Sequence, residues 1–262
     1  MNSLPVAILA CICFYLLPRT KKNQRIFIWI IYSMIFAIAI SLFIFKVIYR
    51  MSHPAIWDFT AFYLYGKVAA GGYNFYLPEN FHIVYNSIHF PVLLNIPNAN
   101  YSEFVSESVN VGFPYPPPTI LYFAPLGFLS YNSALIFWSL FMFIFALACI
   151  YLAYLLFLKE YKLNGLILVS VLFFIFSPVR STIFYSQTNF ILLFLLLLMK
   201  KFSNSKIAGV FLALAIFTKP LMLIFSLYFI FRKKWNIILS FILSCNTCSS
   251  KIFRKCFLKS FC

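Results

Sequence analysis

Residues 26–45 run for about twenty positions without a charge, between Arg25 and Lys46. As a helix rising 1.5 Å per residue, that length matches the ~30 Å hydrocarbon core of a bilayer. Residues 134–158 form a second full-length apolar run. Residues 163–176 and 191–199 give two more, and 207–231 is another, interrupted by Thr218-Lys219-Pro220. Hydrophobic residues make up 63% of the chain and charged residues 10%, against about half and a quarter in a soluble domain. Such a chain cannot cover itself with polar surface, which excludes a water-soluble fold. The expected class is an all-α, multi-pass transmembrane helical protein.

Lys and Arg outnumber Asp and Glu by 21 to 5, a net charge of +16. Nucleic-acid binding is not the reading, because the cations sit in short clusters between apolar runs and not on one solvated face. Clusters of this kind mark cytoplasmic loops. Residues 19–25, 200–206 and 232–234 are therefore expected in the cytoplasm, with 50–118 and 178–189 together on the opposite side. That arrangement requires residues 119–129, which contain Pro125 and Gly127, to form an interfacial or re-entrant helix that does not cross. The expected organisation is a short apolar N-terminus and basic loop (1–25), a first span (26–45), and a large first extracytoplasmic loop (46–130). A helical membrane region (131–235) and a basic, Cys-rich tail (236–262) follow. Four of the seven Cys crowd the last eighteen residues, and from Ser244 the composition loses a span's pattern. An abnormal end of the reading frame is one expectation for that change.

The first loop holds Asp58, the only aspartate in the chain, beside the first span. A carboxylate there suits two roles, the N-cap of a helix starting at Phe59 and a general base. That helix should stop at Gly71-Gly72. Farther on, Gln187 and Asn189 place two amides at the mouth of a span, where they serve either a ligand or helix packing. Lys219 is sharper, since a cation inside an apolar segment costs roughly 2.5–3.5 kcal/mol on insertion scales. It needs an anionic partner, a wet cavity, or a break that lets it reach the surface. Arg180, beside a span on the same side, is a second cation of interest. One Asp and scattered His make a poor cage for a divalent ion, and no P-loop or GxGxxG turn occurs. Neither a metal nor another cofactor is expected.

In order along the chain stand Asp58-Phe59, Gly66-Lys67-x-Ala69-Ala70-Gly71-Gly72 leading to Tyr76, and Tyr115-Pro116-Pro117 with Ala124-Pro125-Leu126. Ser186-Gln187-x-Asn189 and Ala208-Gly209…Thr218-Lys219-Pro220 follow. This order, over residues 26–235, resembles the GT-C glycosyltransferases of family 87, also known by the domain name DUF2029. That family includes polyprenol-phosphate-mannose-dependent mannosyltransferases. The resemblance implies a GT-C fold, a polyprenyl-phosphate sugar donor, an inverting transfer and Asp58 as the catalytic residue. Two departures stand out: the usual Gly before the Gln is Ser186, and full family members continue with several more spans.

The expected function is transfer of a mannose-like hexose from polyprenyl phosphate to a lipid or glycan acceptor at the extracytoplasmic face of the cell membrane. Asp58 would take the acceptor proton. Lys219, Arg180, Gln187, Asn189, Tyr115 and Tyr65 would hold substrate, and membrane lipids would surround the helices. A transporter or flippase of lipid-linked saccharides, or an inactive truncated remnant, are the alternatives.

Overall fold

The structure is a computed structural model that describes residues 4–16, 22–52, 57–74, 76–87, 115 and 117–257. His53, His89, Glu103, Glu107, Pro114 and Pro116 of the first loop lie outside the described residues, as do the side chains of Arg180, Cys248 and Cys256 and all of Cys262.

The described residues are helices and turns, with no strand among them. Two N-terminal helices, α1 (Leu4–Leu16) and α2 (Lys22–Ser52), precede α3 (Trp57–Ala70) and α4 (Pro78–Ser87). A broken segment follows: a 3-10 turn Pro117–Thr119, α5 (Ile120–Phe123) and a second 3-10 turn Ala124–Phe128. The remaining helices are α6 (Tyr131–Ala153), α7 (Lys162–Ile175), α8 (Ser177–Tyr185), α9 (Asn189–Lys201), α10 (Ile207–Thr218), α11 (Ile224–Phe231) and α12 (Trp235–Phe257).

Among the described residues, one helical stretch, Tyr131–Ile175, is long and apolar enough to cross a membrane. It is not one rod. A π-turn at Tyr154–Leu158 and a 3-10 turn at Lys159–Tyr161 lead to Lys162, whose φ of 48° bends the chain back into α7. Gly165 then lies so close to the Leu158 carbonyl that a side chain there would overlap it. With 23 residues, α6 alone is about 34 Å long, enough for the hydrocarbon core.

Three of the four apolar clusters among the described residues set how the helices pack around the site. Helices α1, α2 and α7 enclose Ala10, Tyr32, Ile35, Leu168 and Val171, and the Tyr32 hydroxyl donates to the Asn164 carbonyl at 3.0 Å. The larger core joins α3, the 117–128 segment, α6 and α9 around Phe59, Phe123, Leu126, Leu135 and Trp138. A third packs α10 against α12, where Gly209 lets the α12 backbone approach at Ile237.

Three local readings change. Asp58 lies in the first turn of α3, which starts at Trp57, and is not its cap. The carboxylate still faces the positive end of the helix dipole. Residues 178–185, expected as a loop, form most of α8, because Pro178 fits the first turn of a helix, where its missing N–H is no loss. The chain beyond Ser244 continues α12 to Phe257 without interruption. No Gly occurs after Gly209 and no Pro after Pro220, so nothing there breaks a helix.

Candidate active site

Helix α3 is apolar nearly all round, and every residue from Phe59 to Gly66 is buried. A helix of that kind must be enclosed by protein. Its main contact is the 124–128 turn, where Gly66 and Gly127 meet backbone to backbone. A Cβ on Gly66 would overlap the Phe123 carbonyl oxygen, and one on Gly127 would overlap Gly66. At the C-terminal end, Gly72 takes φ +75° while Gly72 N–H and Tyr73 N–H bond back to the Ala69 and Val68 carbonyls. Only glycine adopts that conformation without steric cost, which is why the helix stops there.

Asp58 sits partly buried at the start of this buried helix. Phe62 and Tyr65 follow it at four and seven residues, on one helical face. Phe62 stacks on Phe123 with centroids 4.4 Å apart and meets Tyr115 edge-on at 6.4 Å. Tyr65 meets the Tyr115 ring at 6.4 Å and Phe81 at 5.6 Å. Burial raises the Tyr65 phenol well above its ordinary range, and the neighbouring Tyr115 and the Asp58 carboxylate push it the same way. Tyr115 is also raised, first by burial and then by Asp58. Both phenols thus stay protonated near a carboxylate, as hydrogen-bonding groups with no charge of their own. The Tyr76 hydroxyl donates to the Tyr115 carbonyl at 3.2 Å, holding that residue to the turn after α3.

The second group of side chains gathers where α10 ends. Pro220 cannot donate a backbone hydrogen bond and keeps its predecessor out of helical geometry. Lys219 accordingly takes φ −146°, ψ 113°, and the helix resumes only after a 3-10 turn, Pro220–Leu223. The Lys219 ammonium donates to Asn189 Oδ1 at 2.6 Å. Asn189 Nδ2 donates in turn to Gln187 Oε1 at 2.8 Å and to Thr182 Oγ1 at 2.9 Å. Lys219, Asn189 and Gln187, expected from the sequence as site residues, therefore form one network. Thr182, seven residues before Asn189 and on the preceding helix, joins them, and nothing in the sequence singled it out. Arg180 lies in α8, on the element that carries Thr182.

The turn that aims the amides is held from the core. Ser186 adopts a left-handed conformation, φ 54° and ψ 36°, and the buried Trp138 indole N–H donates to its carbonyl at 2.9 Å. A left-handed position favours glycine, so the Ser at this point departs from the pattern at a backbone position that matters.

The 117–128 segment connects the two groups. Thr119 donates through its hydroxyl to the Phe217 carbonyl, and the Thr218 hydroxyl bonds to the Tyr122 hydroxyl at 3.5 Å. One of α10's last carbonyls, which lose their helical partners at the Lys219 break, is thus satisfied by a residue from the segment that buries α3. Nothing in the sequence marked Thr119 for this role.

The family model of glycosyltransferase family 87 matches residues 113–248, just over half of the chain. The chain belongs to glycosyltransferase family 87. It is a transferase that takes a sugar donor and an acceptor, in a family of membrane proteins. The family 87 match includes Tyr115, Arg180, Gln187, Asn189 and Lys219, whereas Asp58 and Tyr65 precede it. No curated protein and no solved structure matches the chain.

Proposed function

We propose that this family 87 member is a multi-pass membrane hexosyltransferase that moves a mannose-like hexose from polyprenyl phosphate to a lipid or glycan acceptor, at the extracytoplasmic face. The observation that carries the reading is the Lys219 ammonium held among neutral amides at a helix break. A cation so placed, with no carboxylate in its network among the described residues, is suited to an anionic group brought by substrate.

In the proposed step the acceptor hydroxyl gives its proton to the Asp58 carboxylate as its oxygen attacks the anomeric carbon. The bond from that carbon to the phosphate oxygen breaks, and polyprenyl phosphate leaves with the electron pair. Lys219 and Arg180 meet the phosphate charge, Gln187 and Asn189 orient it, and Tyr65 and Tyr115 wall the sugar. Insertion of α6, of the uncharged run at 26–45 and of the 207–231 helices puts the donor's lipid chain in the hydrocarbon, where it is already soluble.

Asp58→Asn tests the mechanism, because Asn keeps the shape of Asp and forfeits the basicity. Membranes carrying the full chain would be given a radiolabelled polyprenyl-phosphate sugar and native lipid acceptors. General-base catalysis predicts normal insertion with transfer reduced about 10²-fold or more. Transfer within a few fold of the parent removes Asp58 from the mechanism.

A further inference from the structure

At the end of the helices away from Lys219, the chain builds a second cationic feature that the transfer reaction does not use. The α9–α10 turn carries Lys200, Lys201 and Lys206, and the α11–α12 turn carries Arg232, Lys233 and Lys234. Lys234 clamps the two turns together, donating to the Ser203 carbonyl at 2.6 Å and to Asn204 Oδ1 at 2.9 Å. No acidic residue occurs anywhere after Glu160 in the sequence. Neither α10 nor α12 has an acid in its first turn, so this charge is not neutralised from within either helix.

Beside the clamp lies a groove of about 250 Å³ lined by Lys206, Asn236, Leu239, Ser240, Leu243 and Ser244. Asn236, Ser240 and Ser244 recur every four residues, which aligns them along one face of α12. Gly209 packs against Ser240 of this lining, and its missing side chain lets α10 touch the α12 backbone. The lining is mixed: a cation, an amide and two hydroxyls stand beside Leu239 and Leu243, each more than half exposed. A free inorganic anion has no use for the leucines, whereas an amphiphile uses both parts. Basic pockets between membrane helices take anionic lipid headgroups in this way.

We propose that the α10–α12 groove is a binding site for an anionic phospholipid, with the headgroup phosphate at Lys206 and Asn236 and the acyl chains along Leu239 and Leu243. The site rests on the family's membrane setting and on none of the transfer chemistry, so its failure and that of the proposed reaction are read in separate assays. The lipid would neutralise the clamped turns and hold α12 against α10.

The full chain, purified in neutral detergent, would be equilibrated with equal amounts of phosphatidylglycerol and phosphatidylcholine, washed, and its retained lipid quantified by mass spectrometry. The parent should retain phosphatidylglycerol in preference, and Lys206→Gln should cut that preference about fivefold, the effect of one basic residue near an anionic headgroup. Leu239→Asn should lower retention of phosphatidylglycerol while leaving the charge intact. Lys159→Gln, outside the groove, should change neither. Equal retention of both lipids by the parent would overturn the site, as would an unchanged preference in Lys206→Gln. Displacement of the lipid by inorganic phosphate would reduce it to a simple anion site and equally overturn the proposal. Lys206 is exposed, so its replacement leaves the fold intact, and a melting curve for each variant checks this.

Discussion

The Lys219 ammonium and the Asn189 amide oxygen meet at 2.6 Å across thirty residues of sequence. That bond fixes which way the amide points. With its oxygen taken by the cation, Asn189 must present its two N–H donors elsewhere, and it does so to Gln187 and Thr182. The amide row therefore behaves as one unit, oriented by the charge at its end.

Removing the charge should disorient the unit as well as weaken phosphate binding. Lys219→Met is expected to lower kcat/KM for a polyprenyl-phosphate sugar roughly ten- to a hundredfold, in line with the ~1.5–3 kcal/mol of a charged hydrogen bond. Asn189→Ala should cost less, because Lys219 keeps its charge. Steady-state kinetics in reconstituted vesicles separates the two. If Lys219→Met kept normal donor affinity and turnover, the phosphate role would fail.

Ser186 supports the same unit through a backbone conformation that β-branched residues avoid. Ser186→Gly should stay within about 1 kcal/mol of the parent in stability, whereas Ser186→Val should lose about 2 kcal/mol. Thermal unfolding in detergent measures both. Equal stability of the Gly and Val variants would show that the left-handed turn is not populated.

Gly66 and Gly127 leave no room for a side chain, and what faces each is backbone, which cannot rotate away. Gly66→Ala and Gly127→Ala should each destabilise by about 1–3 kcal/mol, the range for overpacking. Since both act on one contact, the double variant should lose less than the sum of the two. Full additivity would indicate that the helix and the turn are not in contact.

The proposed orientation puts Ser87 and Ser203 on opposite sides of the membrane. In a background without the seven native cysteines, Ser87→Cys should react with an impermeant maleimide from the extracytoplasmic side and Ser203→Cys only after permeabilisation. Labelling of both from one side would sink the orientation.

The break at Lys219 could be read from the chain alone, since a cation followed by Pro inside an apolar run has few other solutions. The amides at Gln187 and Asn189 were equally visible as polar groups at a span's mouth. What joins them was not, because Thr182 is an ordinary helix residue until the chain folds it against Asn189. Ser177-Pro178 did signal a helix start, but the polar residues that follow resemble a loop. The helix beyond Ser244 was obscured for the opposite reason: its composition turns to Ser, Cys and Lys, and continuity rests on the absence of breakers. Thr119 could not have been singled out, since its role depends on where α10 ends in space.

The burial of α3 also sets an order of events in synthesis. The residues that enclose Phe59–Gly66, among them Phe123, Leu126 and Tyr131, are translated about sixty positions after it. At 5–20 residues per second, α3 waits roughly 3–12 s for its enclosure. Asp58 thus acquires its surroundings only when a later segment docks. A substitution that delays this docking lowers the yield of active enzyme without altering any group that touches the sugar.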